Sequence, residues 1–199
     1  FLLASVFALL ALGILKLENI QDDRKQKKVD GDLRKNFVDF FKDKDRLISY
    51  TLGGGVGFWW ILIYLFLPLM IINNGLPASW VGYFLFAIPL PLILLEYKFS
   101  KISNKKGPRK LFQAGFLIAS IAALASFFMA HSIFAVMGIL ITASIGLAML
   151  EPTTETYFFN ISTKKEEQRF YGPYKTRLEV FGFLGKTIPA LLLLFLPFK

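Results

Sequence analysis

The sequence predicts an all-α integral membrane protein, a polytopic helix bundle with about six transmembrane spans. Two observations carry this. Leu47–Leu95 is 49 residues without an Asp, Glu, Lys or Arg, and Leu111–Leu150 is 40 more. The charge is segregated between such runs, with 23 Lys and Arg against 14 Asp and Glu in 199 residues. A soluble fold of this length has no interior large enough for both runs, whereas a bilayer takes stretches of about 20 apolar residues one by one. A secreted disulfide scaffold is excluded because there is no Cys. A disordered chain and a soluble enzyme are excluded by a composition that is 55% hydrophobic and arranged in such runs.

The spans follow from where the runs must fold back. A helix of 49 residues would be about 73 Å long at roughly 1.5 Å per residue, more than twice the apolar core. Asn73-Asn74-Gly75-Leu76-Pro77 is the natural turn. It predicts spans near 50–72 and 79–97. The second run breaks at His131-Ser132, giving spans near 111–129 and 133–151, and a last span runs from about Thr176 to Leu196. Phe1–Leu15 is an apolar run too short to span. It reads as a truncated transmembrane helix over 1–16, since it has no basic start and no small-residue cleavage site of a signal peptide. Both ends of the chain read as cut rather than capped.

The connections set the topology. Asn73–Trp80 has no charge, and the turn at His131 has none beyond the His. Lys98–Lys110 has six basic residues and no acid, 16–46 has ten Lys and Arg, and 164–177 has five. Charged and uncharged connections alternate, as antiparallel spans require, and the positive-inside rule puts the charged ones in the cytoplasm. The formal charge of +9 is therefore read as topology, with no nucleic-acid partner. The lipid bilayer is the expected surroundings, and the cytoplasmic (plasma) membrane the expected location. Within the central loop at 17–49, Leu17–Lys28 is polar. Leu33, Phe37, Phe40, Phe41, Leu47 and Ile48 recur at helical steps among charges. An amphipathic helix there either lies on the membrane or packs against other loops. A five-helix bundle over 50–199 completes the division.

Phe99-Ser100-Lys101-Ile102-Ser103-Asn104-Lys105-Lys106-Gly107-Pro108-Arg109-Lys110 joins two spans on the basic side. It resembles the loop motif of the major facilitator superfamily (MFS), roughly Gly-x-Leu-Ala-Asp-Arg-x-Gly-Arg-Arg/Lys. Ile102 takes the Leu position, Ser103 the Ala and Lys105 the first Arg. Gly107 takes the second Gly, and Arg109-Lys110 supply the closing pair after the extra Pro108. Ser100 replaces the first Gly, and Asn104 replaces the Asp. The resemblance implies a secondary transporter of small solutes working by alternating access, and not an enzyme. It also implies a chain covering the end of helix six to helix eleven, a C-terminal-half fragment whose N-terminal half is missing. The partners it implies are a small-molecule solute, a coupling proton or ion, and that missing half. No cofactor is expected. The runner-up is a polytopic membrane enzyme acting on lipid or isoprenoid substrates, which would need clustered His, Asp or Glu at the membrane surface.

The residues also point to a gate. Basic side chains at the ends of helices need acidic partners. Glu96 closes one helix. Glu151 and Glu155 lie four apart, on one helical face. The expectation is that Arg109 or a neighbouring Lys pairs with Glu151 or Glu155, forming in one conformation and breaking in the other; the resemblance implies the same role.

Within the last span, Lys186 and Glu179 are seven apart, close to one face, with Gly182 and Gly185 between them and Pro189 after. Ionisable groups at such depth are costly and mark pathways. Lys186 either meets an anionic substrate or a coupled ion, or pairs structurally with an acid on the missing half. Trp59, Trp60, Tyr64 and Asn73 are further candidates for a solute route. Gly53-Gly54-Gly55-Val56-Gly57 lacks the Lys and Ser/Thr of a phosphate loop, so close helix packing is expected there. Pro68, Pro89 and Pro91 are expected kinks. His131 stands alone, so no metal site is expected.

Overall fold

The computed structural model describes Val6 and residues 32–195, which form seven helices. They are α1 (Leu33–Lys42), α2 (Lys44–Asn73), α3 (Ser79–Ala87), α4 (Leu90–Lys106), α5 (Arg109–Phe128), α6 (Ile133–Asn160) and α7 (Lys164–Phe195). The expected helix over 1–16 and the polar stretch at 17–28 lie outside the described residues.

Five stretches are long and apolar enough to cross a membrane: α2, α3 with α4 taken together over Ser79–Lys106, α5, α6 and α7. They match the five expected spans in number and order. The turns fall where the breakers are. Asn74–Ala78 carries Gly75 at φ 78°, and Gly107, at φ 82°, caps α4. Both are left-handed conformations that favour glycine. The second span is interrupted at Ile88-Pro89, where no helix is continuous, while Pro91 is tolerated in the first turn of α4. Pro68 sits inside an unbroken α2.

The helices overrun the expected spans at the basic end. α2 begins at Lys44 rather than 50, α4 continues to Lys106 rather than 97, α6 to Asn160 rather than 151, and α7 begins at Lys164 rather than 176. Charge ends a membrane span but not a helix. Lys, Arg and Glu are good helix formers, and the polar turns simply project beyond the hydrocarbon. Asp43 starts α2 by accepting a bond from the Arg46 N–H, and Ser132 starts α6 by accepting one from Ala135. Most of the basic motif is therefore helical. Only Gly107 and Pro108 separate α4 from α5.

Packing has three tiers. Near the uncharged end, Ile63, Leu67, Ile71, Phe84, Ile88 and Ile133 form one cluster. Val56, Phe112, Leu147 and Leu150 form the middle. At the basic end Phe40, Tyr50, Phe158, Phe170 and Tyr174 form the third. Backbones meet at glycine. A Cβ on Gly146 would lie 2.9 Å from the Gly115 carbonyl oxygen, and one on Gly115 2.8 Å from that of Gly146, so α5 and α6 touch main chain to main chain. Outside these tiers the bundle is apolar: Phe127, Leu194 and Phe195 are 75%, 76% and 81% exposed. Such a belt fits acyl chains as its solvent.

α1 packs on the bundle by one face. Phe40 is fully buried between Tyr50 and Phe170, at ring-centroid distances of 5.9 and 6.1 Å. Beside it Arg169 of α7 donates from Nε to Asn36 Oδ1 at 2.6 Å and pairs with Asp39 through Nη2. Of the two arrangements expected for this helix, packing against other parts of the basic end holds for this face.

Candidate functional site

The site is a cavity of about 260 Å³ toward the basic end. α2 supplies Gly53, Val56, Gly57 and Trp60; α4 supplies Glu96; α6 supplies Glu151, Pro152, Thr154 and Glu155; α7 supplies Lys175, Arg177 and Leu178. Three carboxylates and two cations therefore share one small space.

Each charged side chain is placed for a local reason. The four-residue spacing of Glu151 and Glu155 points both into the cavity. α7 begins early enough to carry Lys175 and Arg177 alongside them. Lys175 Nζ donates to Glu155 Oε1 at 2.7 Å, and Arg177 Nη2 lies 3.6 Å from the same oxygen. Arg177 is only 4% exposed. Its Nη1 donates to the Tyr174 carbonyl at 3.3 Å, and its guanidinium carbon lies 3.7 Å from the centre of the Tyr174 ring. That ring stacks on Phe158 at 4.0 Å. A buried cation needs such surroundings, since removing it from water costs several kcal/mol on the order of magnitude.

The glycine run explains how Arg177 fits. A Cβ on Gly53 would lie 2.4 Å from Arg177 Nε, and one on Gly54 would lie 2.2 Å from the Phe181 ring. The glycines make the groove in α2 that accepts the two α7 side chains, which is the close packing the sequence predicted. Two groups in the cavity lack partners among the described residues: Glu151 Oε2 and Arg177 Nε are buried without a hydrogen bond. An unpaired buried carboxylate oxygen is costly, and unlike Arg177, Glu151 has no ion pair among the described residues to offset it.

The sequence-predicted residues divide. Glu151, Glu155 and Trp60 come together in the cavity, with Tyr64 stacked on Trp60 at 5.1 Å. Trp59 does not join them; it faces a separate apolar groove of about 320 Å³ with Leu62, Phe66 and Ser126. Asn73 is exposed at the far end of α2. In the motif, Ser100 is half-buried, Asn104, Lys105 and Arg109 are exposed, and Gly107 caps α4.

The expected pair between Arg109 or a neighbouring Lys and an acid of α6 is not formed in this conformation. Glu155 is held by Lys175 and Arg177, and the ion pairs among the described residues include none to Arg109. The reason is geometric: α7 brings its cations into the cavity, while Arg109 opens α5 pointing outward. The sequence reading misses Lys175 and Arg177 because both count among the five basic residues of the connection at 164–177. The signal was there in the glycine run of α2, which needs a large side chain opposite it.

Lys186 and Glu179 are both exposed, beside rather than on the packed face of α7. The packed face belongs to Gly182 and Gly185, which lie against Ile61 and Phe58 of α2. The expected charged, glycine-lined face is thus two adjacent faces.

A family model described as Major Facilitator Superfamily matches residues 1–185. No curated protein matches the chain, and neither does any solved structure.

Proposed function

The chain belongs to the major facilitator superfamily, and from that premise we propose that it moves a small solute by alternating access, with the mixed-charge cavity as a gate at the basic end. It is a multi-pass membrane transporter of this family; the enzyme reading on lipid or isoprenoid substrates gains no support from it. The observation that carries the proposal is the position of Glu155. It stands on α6 and is held by Lys175 and Arg177 on α7, at a cavity whose other walls are α2 and α4. Helices that rock relative to one another must break or remake such a contact, which ties the charge pairing to the access state.

In this reading the basic end is cytoplasmic, by the positive-inside rule, in the plasma membrane. The motif residues Ser100, Asn104, Lys105, Gly107 and Arg109 hold α4 and α5 at that interface. Glu151, with its unsatisfied oxygen, is where a coupling proton or ion would act. Lys186 and Glu179 face outward from α7 toward a second half of the transporter, where the solute route would run beside Trp60 and Tyr64.

The test uses the full-length protein in vesicles. Gly57→Cys places a reporter in the cavity wall, in a stretch that has no Cys of its own. Glu155→Gln should raise the labelling of Gly57→Cys by a membrane-impermeant thiol reagent and change solute flux. Unchanged labelling and flux would overturn the gate.

A further inference from the structure

α1 has a second apolar face that the bundle covers only in part, Phe41 meeting the Tyr50 ring at 5.0 Å. Asn36, Asp39 and Phe40 face α7 and the base of α2. Leu33, Phe37 and Phe41, at successive four-residue steps, form the adjacent stripe and are 77%, 37% and 40% exposed. On the far side lie Arg34, Lys35 and Lys42, all exposed. The helix thus has three sectors: one packed on protein, one apolar and open, and one open sector that is basic except for Val38.

Its position says what covers the open stripe. One residue, Asp43, with extended backbone at φ −89° and ψ 127°, separates α1 from α2. α1 therefore ends where a membrane-spanning helix begins. On α2, Leu47 and Ile48 continue the exposed apolar surface, at 44% and 37%. The charges suit an anionic surface. Asp39 and Asp43 are engaged by Arg169 and Arg46, which leaves the basic side chains of α1 to dominate its open side.

We infer that α1 is an interfacial helix, seating Leu33, Phe37 and Phe41 at the headgroup–acyl boundary of an anionic leaflet while its other face is clamped to α7. Apolar side chains at that depth are stabilised by leaving water, and neighbouring Lys and Arg are drawn to acidic headgroups. The inference is independent of the gate and of any solute.

Spin labels at Phe37→Cys and, as a control, Lys35→Cys test it, with the full chain in phosphatidylcholine vesicles with and without phosphatidylglycerol. The Phe37 label should collide readily with oxygen and poorly with an aqueous nickel chelate, with the reverse at Lys35. Phosphatidylglycerol should strengthen the contrast, and Lys35→Glu with Lys42→Glu should abolish that gain. Free access of nickel to the Phe37 label would overturn the inference. Shielding of that label from both oxygen and nickel would also overturn it, by showing that protein covers the stripe. Indifference to phosphatidylglycerol would overturn the choice of an anionic surface.

Discussion

Gly146→Ala is the sharpest test of how this bundle is held together. The added Cβ would lie 2.9 Å from the Gly115 carbonyl oxygen and 3.0 and 3.1 Å from Ile118 Cγ2 and Cβ. Ordinary contact starts near 3.4 Å, so the oxygen is about half an ångström too close. Rotamer changes cannot relieve a clash with main chain. α5 and α6 must separate along their shared face, and overpacking of this kind costs about 1–3 kcal/mol. The matched control is Gly138→Ala, on the same helix, where a Cβ meets nothing within 4 Å. There the change should stabilise by roughly 0.5–1 kcal/mol, since Gly is the poorer helix former. Unfolding of the purified protein in mixed micelles, titrated with SDS and followed by circular dichroism, should move the two midpoints in opposite directions. If Gly146→Ala unfolds at or above the Gly138→Ala midpoint, the main-chain contact between α5 and α6 is not there.

Phe40→Ala removes a fully buried ring. It should cost about 3–5 kcal/mol and free α1, seen as faster proteolysis between α1 and α2 with the spans intact. Gly53→Ala should push Arg177 out of its groove and weaken its contact with Glu155, so solute flux should fall while the circular dichroism spectrum stays helical. Lys186→Met should abolish flux at unchanged folding stability, because Lys186 is exposed and has no ion-pair partner among the described residues; intact flux would remove it from the solute route.

The span count, the order of spans, the hairpin turn at Asn74–Ala78 and the grouping of basic residues at one end were all legible in the sequence. They depend on local chemistry: apolar runs, glycine at a left-handed turn, charge that stays out of hydrocarbon. Helix ends were less legible, because Lys44–Ser49 and Lys164–Lys175 are charged enough to end a span yet continue a helix. The ion-pair partners were the least legible. Glu155 has basic residues on α5 and α7 to choose from, and the choice of Lys175 and Arg177 depends on how deeply α7 sinks into the glycines of α2. That is a property of two residues 124 positions apart, Gly53 and Arg177, and no pattern within either helix encodes it alone.

The single residue between α1 and α2 has a mechanical meaning. α1 is joined to α2 through Asp43, bolted to α7 through Arg169 and Phe40, and α7 lies directly on α2 at Gly53 and Gly54. Three members fixed pairwise make a truss, which cannot shear without breaking one of its joints. α2 and α7 should therefore travel as one body. The seam left free to open is the one facing α4 and α6, and the charges of Glu155 on one bank and Lys175 and Arg177 on the other lie across it.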